Sequence, residues 1–200
     1  MENYYEGTIS SKSILEESKR EIIRLIVDKN KKSKDFSYII HLAKKKGIQV
    51  EFQTRVEMDL LSNSKTHGGM ILHAKTLNHP ILNESIQLKG FNVYVNGVED
   101  PYNLGSICRT LYASGCKNLI LPYRDWSFAE NTILKASAGA YEKMNIYMIE
   151  NDQQLVDYLK DKKLPLISAN RKDAIGLYDY TFPKDFMLAL GGSYRGLSAT

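Results

Sequence analysis

Cysteine and tryptophan are scarce in this chain of 200 residues, with two copies and one copy, and proline occurs only five times. Two cysteines cannot build a disulfide framework. If Cys108 and Cys116 shared one helix they would stand about 12 Å apart, beyond disulfide reach, so a reduced, intracellular protein is expected. Long hydrophobic runs are also missing: stretches such as 186–190 fall far short of the roughly 20 residues a membrane span needs, and residues 1–10 hold no apolar signal core. With 43% apolar and 25% charged residues, the composition excludes gross disorder, and the length suits one full domain plus a small one. There is no G-x-G-x-x-G after a strand and no P-loop. His67, His73 and His79 recur every six residues without a carboxylate or cysteine at ligand spacing, so no metal is expected.

The net charge of +4 is unevenly distributed. Residues 1–89 hold 15 Lys and Arg against 11 Asp and Glu, and the remainder holds 12 of each. The excess clusters at Lys29, Lys31, Lys32 and Lys34, and again at Lys44, Lys45 and Lys46. Such a patch favours a polyanion through counterion release; a solvated helix end is the plainer reading of the same lysines.

Hydrophobic periodicity predicts two α/β regions. Residues 13–28 read as a helix running into a strand, with Ser13 as cap and Glu16 three residues on. Residues 36–46 repeat a helical period that sets Phe36, Ile39, Ile40 and Ala43 on one face, and Gly47 ends it. Strands at 48–52 and 70–75 flank a short helix at 56–62, giving a small three-layer α/β domain over 1–75. Residues 76–89, with Pro80 and no clear period, read as a linker. From 90 to 200, strands at 91–95, 118–121, 146–149, 164–168 and 186–190 alternate with helices at 104–114, 131–137 and 152–162, the last capped by Asp152. That rhythm predicts a parallel sheet covered on both faces. Ligands of such sheets sit outside the carboxyl ends of the strands, here 96–103, 122–125, 169–173 and 191–196.

Two of those ends carry chemistry. In Asp100-Pro101-Tyr102-Asn103-Leu104-Gly105-Ser106-Ile107-Cys108-Arg109-Thr110, either Asp100 or Asn103 can cap the helix, Gly105 permits close approach, and Arg109 can hold a phosphate bidentately or simply sit in a surface ion pair. In Leu190-Gly191-Gly192-Ser193-Tyr194-Arg195-Gly196-Leu197-Ser198, three glycines within six residues expose backbone groups that can wrap a small ligand; a plain tight turn is the alternative. Ser193 would sit in a serine nucleophile elbow only with glycine at 195, where arginine stands.

Together these stretches resemble the SpoU (TrmH) family of RNA ribose 2′-O-methyltransferases, of the SPOUT superfamily. Asn103-Leu104-Gly105 with Arg109-Thr110 and Gly115 is similar to the family's first motif, and Leu190-Gly191 with Arg195-Gly196-Leu197-Ser198 to its second, with Ser193 in place of the usual glutamate. Ala136-Ser137-Ala138-Gly139-Ala140 resembles a family helix between them, and residues 5–75 resemble the RNA-recognition domain that often precedes the catalytic one. The resemblance implies a trefoil-knot parallel sheet. The family's third motif would follow Thr200, so an incomplete knot and half a cofactor cradle are expected here.

The resemblance also implies methyl transfer from S-adenosylmethionine to a ribose hydroxyl of rRNA or tRNA, in the cytoplasm, by a homodimer in the full-length form. It implies catalytic roles for Asn103 and Arg109. Cofactor contacts are expected at Ala169, Asn170, Leu190, Gly191, Gly192, Gly196 and Leu197, and RNA contacts at Lys31, Lys32, His67 and Arg109. No membrane partner is expected. A non-catalytic RNA-binding protein on the same scaffold is the alternative.

Overall fold

The computed structural model describes residues 1–62, 64, 66–169, 174–192 and 196–197. The expected knot falls partly on 193–195 and 198–200, outside the described residues. Packing groups the chain into two compact units. One comprises 1–78, 101–109 and 126–143; the other comprises 79–100, 110–125 and 144–200.

In the first unit, β1 (Glu2–Glu6), α1 (Thr8–Glu17), β2 (Ile22–Asp28), α2 (Lys34–Lys45), β3 (Gln49–Gln53), α3 (Arg55–Leu61) and β4 (Met70–Lys75) succeed one another. Their sheet has the order β1-β4-β2-β3. Only β2 and β3 run parallel; β4 is antiparallel to both β1 and β2. The pleat sends Ile26 and Ile71 towards Met58 of α3 and their neighbours Leu25 and Leu72 to the opposite face, where they too are buried.

Helix α1 begins five residues before the expected start, and Ser13 does not cap it. Gly7, at φ 96°, breaks β1 and opens the helix. Ser10, Ser11 and Ser13 form a buried face of small residues, and a Cβ on Gly139 would lie 2.8 Å from the Ser13 hydroxyl. The serines that look like a polar helix start are a close-packing surface. The capping box lies instead on α3, where the Thr54 hydroxyl accepts from the Glu57 N–H and the Glu57 carboxylate accepts from the Thr54 N–H.

In the second unit, β5 (Phe91–Val95), β6 (Asn118–Pro122), β7 (Asn145–Ile149), β8 (Leu166–Ser168) and β9 (Phe186–Leu190) form one parallel sheet of order β7-β6-β5-β9-β8. Along the chain α4 (Pro101–Ala113) follows β5, α5 (Glu130–Ala136) and α6 (Ala140–Lys143) follow β6, and α7 (Asp152–Lys162) follows β7; α5, α6 and residues 101–109 of α4 belong to the first unit. Asn151, not Asp152, caps α7, accepting from the Gln154 N–H; the Asp152 carboxylate accepts the Tyr94 hydroxyl at 2.5 Å. Residues 80–82 pair with β7, the Leu82 N–H donating to the Met148 carbonyl at 2.8 Å and the Met148 N–H to Pro80 at 2.9 Å. Leu82 and Leu88 join Tyr94, Ile120, Tyr158 and Met187 in the core. Asn118 donates to Asn92 at 2.7 Å and Asn145 to Asn118 at 3.0 Å, an amide ladder near the amino ends of three adjacent strands. Helix α4 ends at Ala113, so Cys116 is not on the helix of Cys108; both thiols are free and buried.

Candidate active site

Two structures carry the residues singled out by sequence. The first is α4. Pro101 is its first residue, where a missing N–H is harmless and φ is already set. Leu104, Gly105, Cys108 and Leu111 are buried and leave Asn103, Ser106 and Arg109 exposed. Asn103 lies inside the first turn rather than at the cap, and about 9 Å of axial rise separates it from Arg109. Gly105 has no room for a side chain: a Cβ there would lie 2.5 Å from the Ala136 Cβ and 2.8 Å from the Ile133 carbonyl. The α4 backbone at Gly105 therefore packs directly on the Ala136 methyl and the backbone of α5, which fixes the azimuth of Arg109.

The second structure is the bend after β9. The Asn96 N–H donates to the Leu190 carbonyl at 2.9 Å, carrying the β5–β9 pairing past the strand ends. Gly97 and Gly192 then approach so closely that a Cβ on Gly97, at φ 75°, would lie 3.1 Å from the Gly192 Cα. The Gly196 N–H closes the bend on the Gly192 carbonyl at 2.9 Å, and a Cβ on Gly191 would overlap the Gly196–Leu197 peptide. Leu197 packs against the core, and Ala169 is exposed just beyond β8. Strand order reverses between β5 and β9, and at such switch points the loops at the carboxyl ends diverge to leave a ligand crevice. Of the residues expected to hold a cofactor, Ala169, Leu190, Gly191, Gly192, Gly196 and Leu197 thus gather at the ends of two adjacent strands; Asn170 lies outside the described residues, as do Ser193 and Arg195. A glycine-lined backbone suits an adenosyl sulfonium, whose adenine and amino acid moieties can be recognised by N–H and C=O groups.

The basic first region has its own geometry. Lys31 is exposed, its ammonium 2.6 Å from the Gly68 carbonyl and 5.0 Å from the centre of the Phe36 ring; Lys32 is exposed beside it. His67 is fully buried. Its Nδ1 accepts from the Gly69 N–H at 3.1 Å, so Nε2 carries the proton and faces Asp59 at 2.9 Å. The histidine expected to touch RNA instead shapes the loop that precedes β4, because both ring nitrogens are taken up by the protein.

Sequence reasoning missed a buried ion cluster. Arg20 grips Glu142 with two nitrogens, at 2.5 and 3.2 Å, and Glu130 at 2.8 Å, and all three side chains are at most 1% exposed. The Tyr5 hydroxyl donates to Glu130 and accepts from Arg20. Burial raises the Glu130 carboxyl above its ordinary range, with Arg20 opposing. Burial disfavours the Arg20 cation, but Glu142 and Glu130 more than offset that and hold it protonated. No local pattern marked it, because Glu130 and Glu142 stand in short helices that carry other polar residues, ENTILKA and AYEK.

The sequence model of the SpoU rRNA Methylase family matches residues 90–200, more than half of the chain. The chain belongs to that family. Its members are S-adenosylmethionine-dependent RNA methyltransferases, and the model for RNA 2′-O ribose methyltransferase substrate binding matches residues 7–80. The 23S rRNA (guanosine-2′-O-)-methyltransferase RlmB of Acinetobacter baylyi is 27% identical over 97% of this chain and 81% of its own length. Among solved structures, an RNA 2′-O ribose methyltransferase aligns with a TM-score of 0.78 at 18% identity, over 99% of this chain and 74% of its own. The SpoU methyltransferase AviRb of Streptomyces viridochromogenes, solved with the cofactor AdoMet, aligns at 0.75 and 18%, over 98% and 75%. At those identities the two structures establish the SpoU fold.

Proposed function

We propose that this chain methylates a ribose 2′-hydroxyl of rRNA or tRNA, working as a cytoplasmic homodimer. The observation that carries the reading is the glycine-lined bend at the β5–β9 switch point in a chain of this family. Ala169, Asn170, Leu190, Gly191, Gly192, Gly196 and Leu197 would hold S-adenosylmethionine there, mainly through backbone. When bound, the sulfonium supplies an electrophilic methyl group that needs no metal.

The chain's own tasks are alignment and charge. A hydroxyl is a weak nucleophile until its proton is drawn away, and the developing alkoxide needs a cation beside it. Arg109 fits that role. A guanidinium stays protonated in proteins, so Arg109 is assigned to orient the neighbouring phosphate and stabilise the oxyanion, while the hydroxyl proton passes to solvent water. Asn103, about 1.7 turns earlier, orients the ribose. Residues 1–75 deliver the RNA, with Lys31 and Lys32 contacting phosphates and His67 holding the adjoining loop in shape. The test is Arg109→Ala in a methyl-transfer assay with labelled S-adenosylmethionine and rRNA or tRNA. The expected result is loss of transfer with unchanged thermal stability; an active variant would refute the assignment. Arg109→Lys is expected to fail as well, because an ammonium cannot reproduce the planar fork.

A further inference from the structure

A second polar cluster joins the loop after α3 to α5. The Glu6 side chain at the end of β1 is 1% exposed. It accepts from the Ser62 hydroxyl at 2.9 Å, the Ser64 N–H at 3.2 Å, the Ser64 and Thr66 hydroxyls, and the Lys135 ammonium at 2.6 Å. Lys135 lies on α5 and also reaches the Ser64 hydroxyl at 2.9 Å and the Thr66 hydroxyl at 2.8 Å. All three donors of its ammonium are thereby used. Asn131, one turn before it, accepts the Glu6 N–H at 3.1 Å.

On the far side of α5 lies the backbone-tight contact with α4. The Ile133 carbonyl, the Ser137 nitrogen and the Ala136 methyl abut Gly105, and none of the three can rotate away to absorb movement. Gly105 stands two residues after Asn103 and four before Arg109. A continuous path of close contacts therefore runs from Ser64 and Thr66, through Lys135 and the α5 backbone, to the helix that carries the guanidinium.

We propose that Lys135 is a positioning residue that couples the loop of Ser62, Ser64 and Thr66 to the Arg109 helix, so that RNA seated on the loop sets the attack geometry at the ribose. This rests on the reading that residues 1–75 hold RNA and that Arg109 acts on it. Packed contacts of this kind transmit displacement because interiors are dense and do not deform gradually.

Lys135→Met removes the ammonium and keeps the stem. In the full chain without substrate, amide hydrogen exchange is expected to quicken by about fivefold or more in peptides covering 62–66 and 101–109, with β2 and β3 unchanged. Turnover on total rRNA is expected to fall about tenfold, while the KM for S-adenosylmethionine stays within about twofold. Lys135→Arg is expected to restore both. Should Lys135→Met fold poorly, Thr66→Val, which leaves the ion pair in place, is expected to move the same peptides by less. Loop exchange that quickens while 101–109 stays unchanged would overturn the coupling, and so would equal quickening through β2 and β3. If the wild-type chain transferred no methyl group, the proposed activity would fail, and the exchange data would still decide the coupling.

Discussion

Gly105→Ala pits two effects of known size against each other. Alanine is favoured over glycine inside a helix by roughly 0.5–1 kcal/mol, so an exposed site would gain stability. At position 105 the new methyl would lie 2.5 Å from the Ala136 Cβ, 2.8 Å from the Ile133 carbonyl and 3.1 Å from the Ser137 nitrogen. Two of those neighbours are backbone and cannot rotate away. Ordinary contact requires the helices to separate by about 1 Å, and overpacking of this kind costs about 1–3 kcal/mol. With no flexible neighbour to yield, the upper half of that range applies, leaving a net loss of about 1–2.5 kcal/mol. For a chain of this size that is a drop of roughly 2–10 °C in Tm. Function suffers more than stability, because a shift of about 1 Å at Arg109 can reduce turnover about a hundredfold. Thermal denaturation and a methyl-transfer assay on the same preparation read both quantities. A Gly105→Ala variant with raised Tm and full activity would refute the claim that the α4–α5 contact positions Arg109.

Two further outcomes follow from the buried charges. Burial would raise the Glu6 carboxyl, but its bonds from Lys135, Ser64 and Ser62 hold it at about 2. A carboxyl depressed from 4.5 stabilises the fold above its unfolded value and loses that stabilisation as pH falls from about 4.5 towards 2, up to about 3 kcal/mol. Glu6→Gln is therefore expected to flatten the acid limb of stability against pH, measured by urea unfolding; an unchanged limb would contradict the pairing. Arg20→Met leaves Glu130 and Glu142 buried without their cation, a loss of about 3–5 kcal/mol, and adding Glu130→Gln and Glu142→Gln is expected to recover much of it. Equal Tm values for wild type and Arg20→Met would show that the cluster carries no such energy.

Local signals made much of the fold legible. The strands at 70–75, 91–95 and 186–190 are dense runs of apolar residues, and their observed bounds match expectation. The helix over 36–46 shows its period in Phe36, Ile39 and Ala43, which are buried. Strand β1 was missed because Glu2, Asn3 and Glu6 flank its only two apolar residues, Tyr4 and Tyr5, and Glu6 is charged yet buried for the sake of a partner 129 residues away. The serines of α1 misled because capping and close packing both favour small polar side chains. The glycines after β9 and the arginine on α4 could be read directly, since each depends on neighbours in the chain. The Arg20 pairs, separated by 110 and 122 positions, and the burial of His67 depend on tertiary contacts that leave no local pattern.

The most direct test uses tritiated S-adenosylmethionine, the full chain and rRNA or tRNA, followed by alkaline hydrolysis. A ribose methylated on its 2′-oxygen cannot attack the adjoining phosphate, so the label is expected in alkali-resistant dinucleotides. Label in mononucleotides would mean methylation of a base, and RNA that binds but gains no label would mean a binding protein; either result would contradict ribose 2′-O-methylation by this chain.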